Sequence, residues 1–373
     1  MGKNRSGIVF LVLLFAVPLM MLYSGGYEKL HQAAVSRTNA LKNVEVVFTE
    51  QFPGSAFLRR MQISLKYLSG NKEQNGIFIS DDTLMLNVQP KSQATINKNT
   101  LAMIDFSQDF QRPSYVMLVP TACAVQQSKV PYAYDALLYN QKQQLIDDVY
   151  RRVSGYVTAV DVYPVLRSHQ TEYIYYRTEN TTTGLGGYYI YTVVAKKLGL
   201  KPRGIEQFEV EHLDNNYYGD LYKLSPYREI TPDRVSAYSF SKSRYSYMLS
   251  HFDQTGSRRY FTLYPKFKAQ LGSKMDILLG GMSPIVDVKI NNSPYNQKLL
   301  IFGDRSVQSY LPFLLVHYGQ ITVVDTAKIT PELLKNINVA RYNQVLFAYS
   351  ADSFVGKDQL SVLSELMPPA PKV

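Results

Sequence analysis

The feature that most restricts the fold of this chain is the alternation of short apolar runs with longer segments of helical spacing. The apolar runs have the length of buried strands, and the longer segments place charged residues on one helical face. Strands and helices in this order favour an α/β domain with a mostly parallel sheet that helices cover on both faces. The predicted strands lie at 115–120, 157–163, 173–176, 299–302, 321–324 and 344–349, and the predicted helices at 137–153, 188–198 and 307–317.

Three segments of the chain differ from this alternation. Residues 55–67 have the spacing of an amphipathic helix, and residues 75–85 have the pattern of a β-hairpin with an acidic turn. Residues 205–289 are more polar and irregular. We therefore predict that this last segment is an insertion in the α/β domain, in part β-structured.

The N-terminus has the pattern of an export signal. Lys3 and Arg5 precede an apolar run over 8–23, and small residues follow at 24–26. Positive charge before an apolar run predicts a signal anchor at 1–26 with the remainder extracytoplasmic, a helical stalk at 27–70 and the α/β domain at 71–373. The alternative is a cleaved signal sequence, because Ser24 and Gly26 are small residues of the kind that flank cleavage sites.

Charge and cysteine content narrow the classes of partner and cofactor. A formal charge of +10 and a pI near 9.3 indicate an anionic partner, such as an acidic polysaccharide or lipid headgroups outside a cell. No nucleic-acid-binding motif or basic block is present, so nucleic acid is not expected as a partner. Cys123 is the one cysteine, which excludes an internal disulfide and a multi-cysteine metal site. We predict neither a metal nor a cofactor.

Motifs in three segments carry a family resemblance. They are Tyr-Tyr-Arg-Thr-Glu-Asn-Thr-Thr-Thr at 175–183 with Gly-Gly-Tyr-Tyr at 186–189, Leu-Leu-Gly-Gly at 278–281, and Leu-Leu-Ile-Phe-Gly-Asp-Arg-Ser at 299–306 with Leu-Pro-Phe-Leu at 311–314 and His-Tyr at 317–318. In order and spacing the set resembles the DHHW family, relatives of the alginate O-acetylation proteins. The corresponding family motifs are Tyr-Arg-Thr-Asp-His-His-Trp-Thr, Phe-Leu-Gly-Gly and Lys-Asp-Ser-Tyr.

The resemblance implies a three-layer, SGNH-hydrolase-like domain that transfers acyl groups to sugar hydroxyls. In such a site a serine at the end of a strand attacks the acyl donor, a histidine accepts its proton, and an aspartate orients the histidine. The family takes the aspartate and histidine from the Asp-His-His-Trp motif and the serine from the Asp-Ser motif.

This chain departs from the family at the positions that carry the chemistry. The family aspartate becomes Glu179, the two histidines become Asn180 and Thr181, and the nucleophilic serine becomes Arg305, although the preceding Asp304 is kept. A threonine is not a general base near neutral pH, and a guanidinium that stays protonated is not a nucleophile. We therefore predict a degenerate site without confident catalytic residues.

The sequence offers two substitutes for the missing groups. Ser306 follows Arg305 directly and would supply a nucleophile if the turn were shifted, but the ungapped distance to Pro312 argues against such a shift. A remote histidine would supply a base, although lone histidines are more often structural. The candidates are His31, His169, His212, His251 and His317.

The predicted function is that of a catalytically degenerate surface protein, an accessory or binding partner in the O-acetylation of cell-surface polysaccharide. By resemblance, its partners are a membrane-bound O-acyltransferase and the polysaccharide. The predicted binding residues are Asn180, Glu179, Asp304 and Arg305, with Arg305 holding an anionic sugar or a carboxylate. Two alternatives remain: an active O-acetyltransferase or esterase that uses Ser306, and a glycan-binding or structural surface module.

Overall fold

The computed structural model describes residues 55–80, 82–227, 229–240 and 245–366. The predicted anchor, residues 27–54 of the predicted stalk and His31 lie outside these ranges. Within them, no helix combines the length and the apolar character that crossing a membrane requires. The chain divides into a large unit of Lys72–Ser225 with Glu229–Val373, and a small unit that includes Pro226–Arg228 and the residues before 72.

The small unit contains the amphipathic helix that the sequence predicts at 55–67. This helix, α1, spans Ser55–Leu68. The ring of Tyr67 near its end lies 4.7 Å from the ring of Tyr227.

The large unit contains thirteen strands. They are β1 (Glu73–Gln74), β2 (Ile77–Ile79), β3 (Leu84–Leu86), β4 (Ser114–Val119), β5 (Thr158–Ala159), β6 (Phe208–Tyr217), β7 (Asp233–Phe240), β8 (Ser246–Asp253), β9 (Gly256–Tyr260), β10 (Ile285–Asn291), β11 (Lys298–Gly303), β12 (Gln320–Val324) and β13 (Gln344–Ser350), counted over the described residues.

Ten α-helices of the large unit follow α1 in the described chain. They are α2 (Gln93–Phe110), α3 (Ala122–Val125), α4 (Asp147–Val153), α5 (Tyr163–Ser168), α6 (Gly184–Lys197), α7 (Asp220–Leu224), α8 (Lys268–Leu271), α9 (Val307–Leu314), α10 (Pro331–Leu334) and α11 (Ala351–Gly356). The 3₁₀ segments are Gln127–Lys129, Tyr132–Leu137, Ile205–Gln207, Lys274–Gly280, Leu315–His317, Val339–Arg341 and Ser361–Leu366, and a π-helical turn spans Gln141–Ile146.

The main sheet has the strand order β5-β4-β13-β11-β12-β10-β8-β9. Its first five strands are parallel, and β10, β8 and β9 extend it in antiparallel fashion. Side chains on both faces are buried: in β13, Leu346 and Ala348 belong to one core, whereas Val345 and Phe347 belong to the other. A mostly parallel sheet buried on both faces is therefore confirmed.

Helices provide the other half of each core. Ile190 of α6 and Leu311 of α9 pack in the first core, and Phe106 of α2 and Val149 of α4 pack in the second. The predicted hairpin at 75–85 is also confirmed, because β2 and β3 pair in antiparallel register and β1 adds a third strand.

Two predicted strands and two helix boundaries are wrong. The helix predicted at 188–198 begins four residues earlier, at Gly184, where Thr183 caps it. Of 157–163 only β5 is a strand, because Pro164 supplies the fixed φ that begins helix α5. Of 173–176 only Tyr175 pairs, in a single bridge with Thr182. The helix predicted from residue 137 begins at Gln141 instead, where the Asn140 side chain accepts a hydrogen bond from the Gln143 amide.

The segment 205–289 divides between two sheets. Strands β6 and β7 form a two-stranded ribbon of their own, whereas β8, β9 and the start of β10 belong to the main sheet. An antiparallel edge with one solvated face carries many polar side chains, which explains why this segment is polar in sequence.

Candidate functional site

The motif at 175–183 forms a tight loop at the start of helix α6. The Tyr176 amide donates to the Thr181 carbonyl at 3.2 Å, and Tyr175 bridges to Thr182. Thr183 then caps α6, since its Oγ1 accepts a hydrogen bond from the Gly186 amide. The loop residues 177–181 are thereby held in one conformation.

Asp233, at the start of β7, holds this loop in place by hydrogen bonds. Its fully buried carboxylate accepts hydrogen bonds from the Arg177 amide at 2.7 Å, the Thr178 amide at 2.8 Å and the Tyr173 hydroxyl at 2.5 Å. The Thr178 hydroxyl donates to it as well. Nothing near Asp233 in the sequence points to this role, because the residue lies more than fifty positions from the loop that it holds.

The second motif forms the turn between β11 and α9. Asp304 Oδ1 accepts the Ser306 amide at 2.9 Å, and its Oδ2 accepts the amide and hydroxyl of Ser350 at 2.8 and 2.6 Å. Both oxygens thus tie the turn to the end of β13. The role of Asp304 in this geometry is to position Arg305, and Asp304 does not line the pocket described below.

Close packing of α6 on α9 brings the two motifs together. A Cβ on Gly187 would lie 2.0 Å from the Ser309 carbonyl oxygen, so the helices approach at this point closely enough to require glycine. Beside this contact the Thr182 and Ser309 hydroxyls are 2.8 Å apart. Since Ser309 Oγ donates to the Ser306 carbonyl, it accepts the hydrogen bond from Thr182.

The centre of the site is an ion-paired cluster. Arg305 Nη1 lies 4.0 Å from Glu179 Oε2 and 3.4 Å from Asp220 Oδ2. Glu179 is 6% exposed, and its Oε2 also accepts the Tyr217 hydroxyl at 2.7 Å and the Asp220 amide at 3.1 Å. The Asn180 amide donates to Oε1 at 3.2 Å. Both carboxylate oxygens of the buried Glu179 therefore have hydrogen-bond donors.

Charges in the cluster shift the pKa values of Arg305 and Asp220. Burial disfavours the charged guanidinium of Arg305, but the carboxylates of Glu179 and Asp220 outweigh burial and raise its pKa further. Burial likewise opposes the charge of Asp220, yet Lys223 and Arg305 hold its pKa below the usual range. Arg305 is therefore a permanent cation whose charge two carboxylates balance.

A pocket opens beside this cluster. Its wall includes Thr181 and Arg305, which the sequence analysis predicts at the positions of the family's base and nucleophile, together with Ser306. Among the other residues of its wall are the polar Gln308 and the aromatic Tyr176 and Tyr238. Of the predicted binding residues, the structure thus brings Glu179, Asn180 and Arg305 into one cluster, and it places the carboxylate of Asp304 in the supporting turn. The motifs in the sequence do not point to Tyr217, Asp220 or Gln308.

The described histidines contact groups other than the family's catalytic positions. His169 bonds Glu172, and His251 lies between the Ser283 hydroxyl at 2.7 Å and the Leu279 carbonyl at 2.9 Å. None of the four described histidines lines the pocket. One has a partner that does: His212 Nδ1 lies 3.0 Å from the hydroxyl of Ser236 in the opposite strand.

Ser306 is poorly placed to replace the nucleophile. It is 4% exposed, and its hydroxyl approaches the buried Tyr310 hydroxyl without a hydrogen bond of good geometry. No histidine of the described chain contacts it. Nor do the described residues contain a cluster of three or more His, Cys, Asp or Glu side chains that could hold a metal ion.

His317 makes the stability of the protein depend on pH. The Tyr191 hydroxyl accepts the Arg203 amide at 2.7 Å and lies 2.8 Å from His317 Nε2. In the neutral histidine an unprotonated Nε2 accepts the remaining proton of this hydroxyl, a bond that protonation of the ring would remove. Burial, with the charge of Arg203, lowers the pKa of His317 to about 4. An unfolded histidine titrates near 6.5, so the stabilisation is complete above that pH and is lost as the pH falls through the range down to 4, by about 3 kcal/mol.

We expect His317→Gln to flatten this part of the stability curve. Urea denaturation of both proteins at pH 7.5, 6, 5 and 4 isolates the histidine, because the carboxylates contribute equally to both. Parallel curves for the two proteins over this range would show that folding does not lower the pKa of His317.

Comparisons with known proteins place the chain in a family. The model of the family described as DHHW protein matches residues 94–324. A DHHW family protein from Eubacterium siraeum superposes with a TM-score of 0.63 at 21% identity, over 79% of this chain and 97% of that one. PatB1 of Bacillus cereus with a sulfonyl adduct superposes with a TM-score of 0.62 at 14% identity, over 76% and 96%.

At these identities the structural likeness concerns the fold. A sequence search of curated proteins finds no match. The family model, however, covers more than half of the 373 residues. The chain is a member of the DHHW family.

Proposed function

We propose that this DHHW family protein does not catalyse acyl transfer and serves as an accessory or binding partner in the O-acylation of cell-surface polysaccharide. The observation that carries the proposal is the ion pairing of Arg305, at the position of the family's nucleophile, with Glu179 and Asp220. Acyl transfer by the family's route requires a nucleophile and a base that accepts its proton. A guanidinium and the Thr181 hydroxyl supply neither.

The same residues support a retained binding role. The replaced positions are still structured. Glu179 accepts a hydrogen bond from Tyr217, Arg305 donates one to Asp220, and Arg305 lines the pocket. Tyr176 and Tyr238 present aromatic rings in its wall, and such rings combine apolar contact area with a polar hydroxyl. The family resemblance makes a polysaccharide the corresponding ligand.

Location and partners are part of the proposal. The basic and apolar pattern at 1–26 supports a domain that is tethered to the membrane outside the cytoplasm. There it would meet a membrane-bound O-acyltransferase and the acceptor polysaccharide, the two partners that the family resemblance implies.

One observation favours a second candidate, residual ester hydrolysis. The Ser236 hydroxyl lines the pocket and lies 3.0 Å from His212 Nδ1, which is the distance of a nucleophile from its base. His212 is exposed, and among the described residues no carboxylate orients its second ring nitrogen by a hydrogen bond. The pair therefore lacks the third member of a triad.

The experiment that tests both candidates is an ester-hydrolysis assay of the full-length chain with p-nitrophenyl acetate. We expect no rate above background, while a relative with an intact Asp-His-His-Trp motif turns over. Phenylmethylsulfonyl fluoride, a sulfonylating reagent, should likewise leave the mass of this chain unchanged.

Turnover by the wild-type chain would contradict the proposal, and three variants would then locate the nucleophile. Loss of the rate in Ser306→Ala would support the relocated nucleophile of the turn. Loss in both Ser236→Ala and His212→Ala would support the ribbon pair instead.

A further inference from the structure

Residues 256–274 form one border of the main sheet. This border segment contains the edge strand β9 and the short helix α8, and it carries five basic residues and no acidic residue. Among the described strands β9 pairs with β8 alone, so its second edge is open. Basic side chains on an edge strand discourage pairing with other chains, which accounts for part of this charge.

Large apolar side chains are exposed beside these cations. Phe261 is 82% exposed, Phe267 50% and Leu271 76%. Phe267 and Leu271 are four positions apart along the turn of α8, so they lie on the same face of it. Protection of the strand edge does not explain these three residues, because exposed apolar groups favour association. They indicate a partner that accepts apolar and cationic groups together.

Tyr260 connects the apolar and the cationic groups. Its ring lies 6.0 Å from the ring of Phe267, and the Lys268 Nζ lies 5.6 Å from the centre of the same ring. Tyr260 also packs against the first core, which fixes its position on the sheet. Phe267 and Lys268 are therefore neighbours at a defined place on the surface.

Two of the five cations are not compensated by a carboxylate. In the described chain no acidic side chain pairs with Arg259 or Lys268. Arg259 is exposed at the end of β9, where its long side chain is able to extend past the edge of the sheet. An anionic partner at this border would therefore meet two available positive charges. The other three cations form the pairs Arg258–Asp253, Lys266–Glu211 and Lys274–Asp214.

We infer that the border segment docks on the surface of an anionic lipid bilayer. Phe261, Phe267 and Leu271 enter the boundary between headgroups and acyl chains, and the two uncompensated cations contact lipid phosphates. Phenylalanine and leucine beside lysine and arginine are the combination that binds this interface. Exposed groups without a hydroxyl suit acyl chains better than a sugar, which requires hydrogen bonds. The inference goes beyond the proposed function and rests only on its membrane location, which keeps the domain close to a bilayer.

The full-length chain in phosphatidylcholine vesicles, with and without phosphatidylglycerol, tests the inference. Flotation shows whether the chain is bound, and an environment-sensitive fluorophore on Leu271→Cys shows whether the border segment is docked. We expect this label to emit at shorter wavelength and to be quenched by nitroxide lipids on the anionic vesicles only, because an interfacial face enters about 5–10 Å. The native Cys123 is buried, and burial raises the pKa of its thiol to about 12, so it reacts poorly with the label.

Leu101→Cys is the matched position for the label. Leu101 is 53% exposed on α2, which packs on the opposite face of the sheet from Tyr260. Its label should stay in water on both kinds of vesicle. Equal shifts of the labels at Leu271 and Leu101 would overturn the inference, since the domain would then have no preferred docking surface.

Charge variants test the part played by the cations. Arg259→Gln and Lys268→Gln should each lower the ratio of docked to undocked domain about fivefold, which corresponds to about 1 kcal/mol. Phe261→Ser should lower the ratio as well, without a loss of stability. Lys196→Gln with Lys197→Gln removes two exposed cations at the end of α6 and should leave the ratio unchanged. Equal losses in both pairs of charge variants would assign the effect to net charge and overturn the inference.

The remaining outcomes separate this inference from the proposed membrane location. A label at Leu271 that stays in water on anionic vesicles that carry the chain would overturn the inference and leave the location standing. A chain that does not float with the vesicles would contradict both. A shift in detergent that grows with protein concentration would assign the surface to a second copy, and a shift caused by a soluble oligouronate would assign it to the polysaccharide. Either result would overturn the inference.

Discussion

Replacing Asp233 with alanine is expected to lower the free energy of unfolding by about 3–5 kcal/mol. The change removes a fully buried carboxylate that accepts from the Arg177 and Thr178 amides and from the Tyr173 hydroxyl. The Thr178 amide would be left buried without its acceptor, and the part-buried Arg177 amide and Tyr173 hydroxyl would lose theirs. Because the chain has no tryptophan, urea denaturation followed by far-UV circular dichroism is the suitable measurement.

Asp105→Ala is the control for this variant. Asp105 is an exposed aspartate within α2, and its replacement should change the unfolding free energy by no more than about 0.5 kcal/mol. If Asp233→Ala were as stable as Asp105→Ala, the loop at 177–181 would not depend on the buried carboxylate, and the site as described would have another support.

Gly187→Ala is expected to destabilise the protein by about 3 kcal/mol and to open the site at the same time. The added Cβ would lie 2.0 Å from the Ser309 carbonyl oxygen, which belongs to a helix backbone and cannot move independently. Helices α6 and α9 must therefore separate, which also strains the hydrogen bond between Thr182 and Ser309. Thermal unfolding of the variant and the wild-type protein measures the loss of stability.

Gly356→Ala provides the comparison for a helical glycine with open space. A Cβ at Gly356, the last residue of α11, meets no atom within 4 Å. Its replacement should be neutral or slightly stabilising, within about 1 kcal/mol, because alanine favours the helix. A Gly187→Ala variant as stable as Gly356→Ala would mean that the two helices are free to move apart.

The parts of the fold that the sequence predicts best are the strands buried on both faces. Strands β4, β11, β12 and β13 read as continuous apolar runs, and all are confirmed within two residues. The run at 157–163 is equally apolar but mostly not a strand. Val160 still donates its amide to the Val116 carbonyl of β4 at 2.8 Å, whereas Val162 is fully buried in helical backbone just before α5. Apolar patterning reports burial, and burial does not require pairing.

The residues of the candidate site also fall into two groups, those that the sequence points to and those that it does not. The motif order identifies Glu179, Thr181 and Arg305 as the positions of the family's chemistry, and the structure gathers them around one pocket and ion cluster. Their partners Tyr217, Asp220 and Asp233 come from a segment whose composition resembles an ordinary polar loop. No local pattern identifies such partners, because their function depends on contacts with residues about forty to eighty-five positions away.

The sequence by itself determined the fold class and the family, because both depend on the order and spacing of side chains along the chain. Only the tertiary structure decided what surrounds Glu179 and Arg305. Whether Arg305 is available to an anion depends on the carboxylates that lie beside it in space, and the direction of the Gln308 amide depends on the Leu278 carbonyl thirty residues away. Charge balance and hydrogen-bond direction are properties of a packed site, and they exist only once the segments have come together.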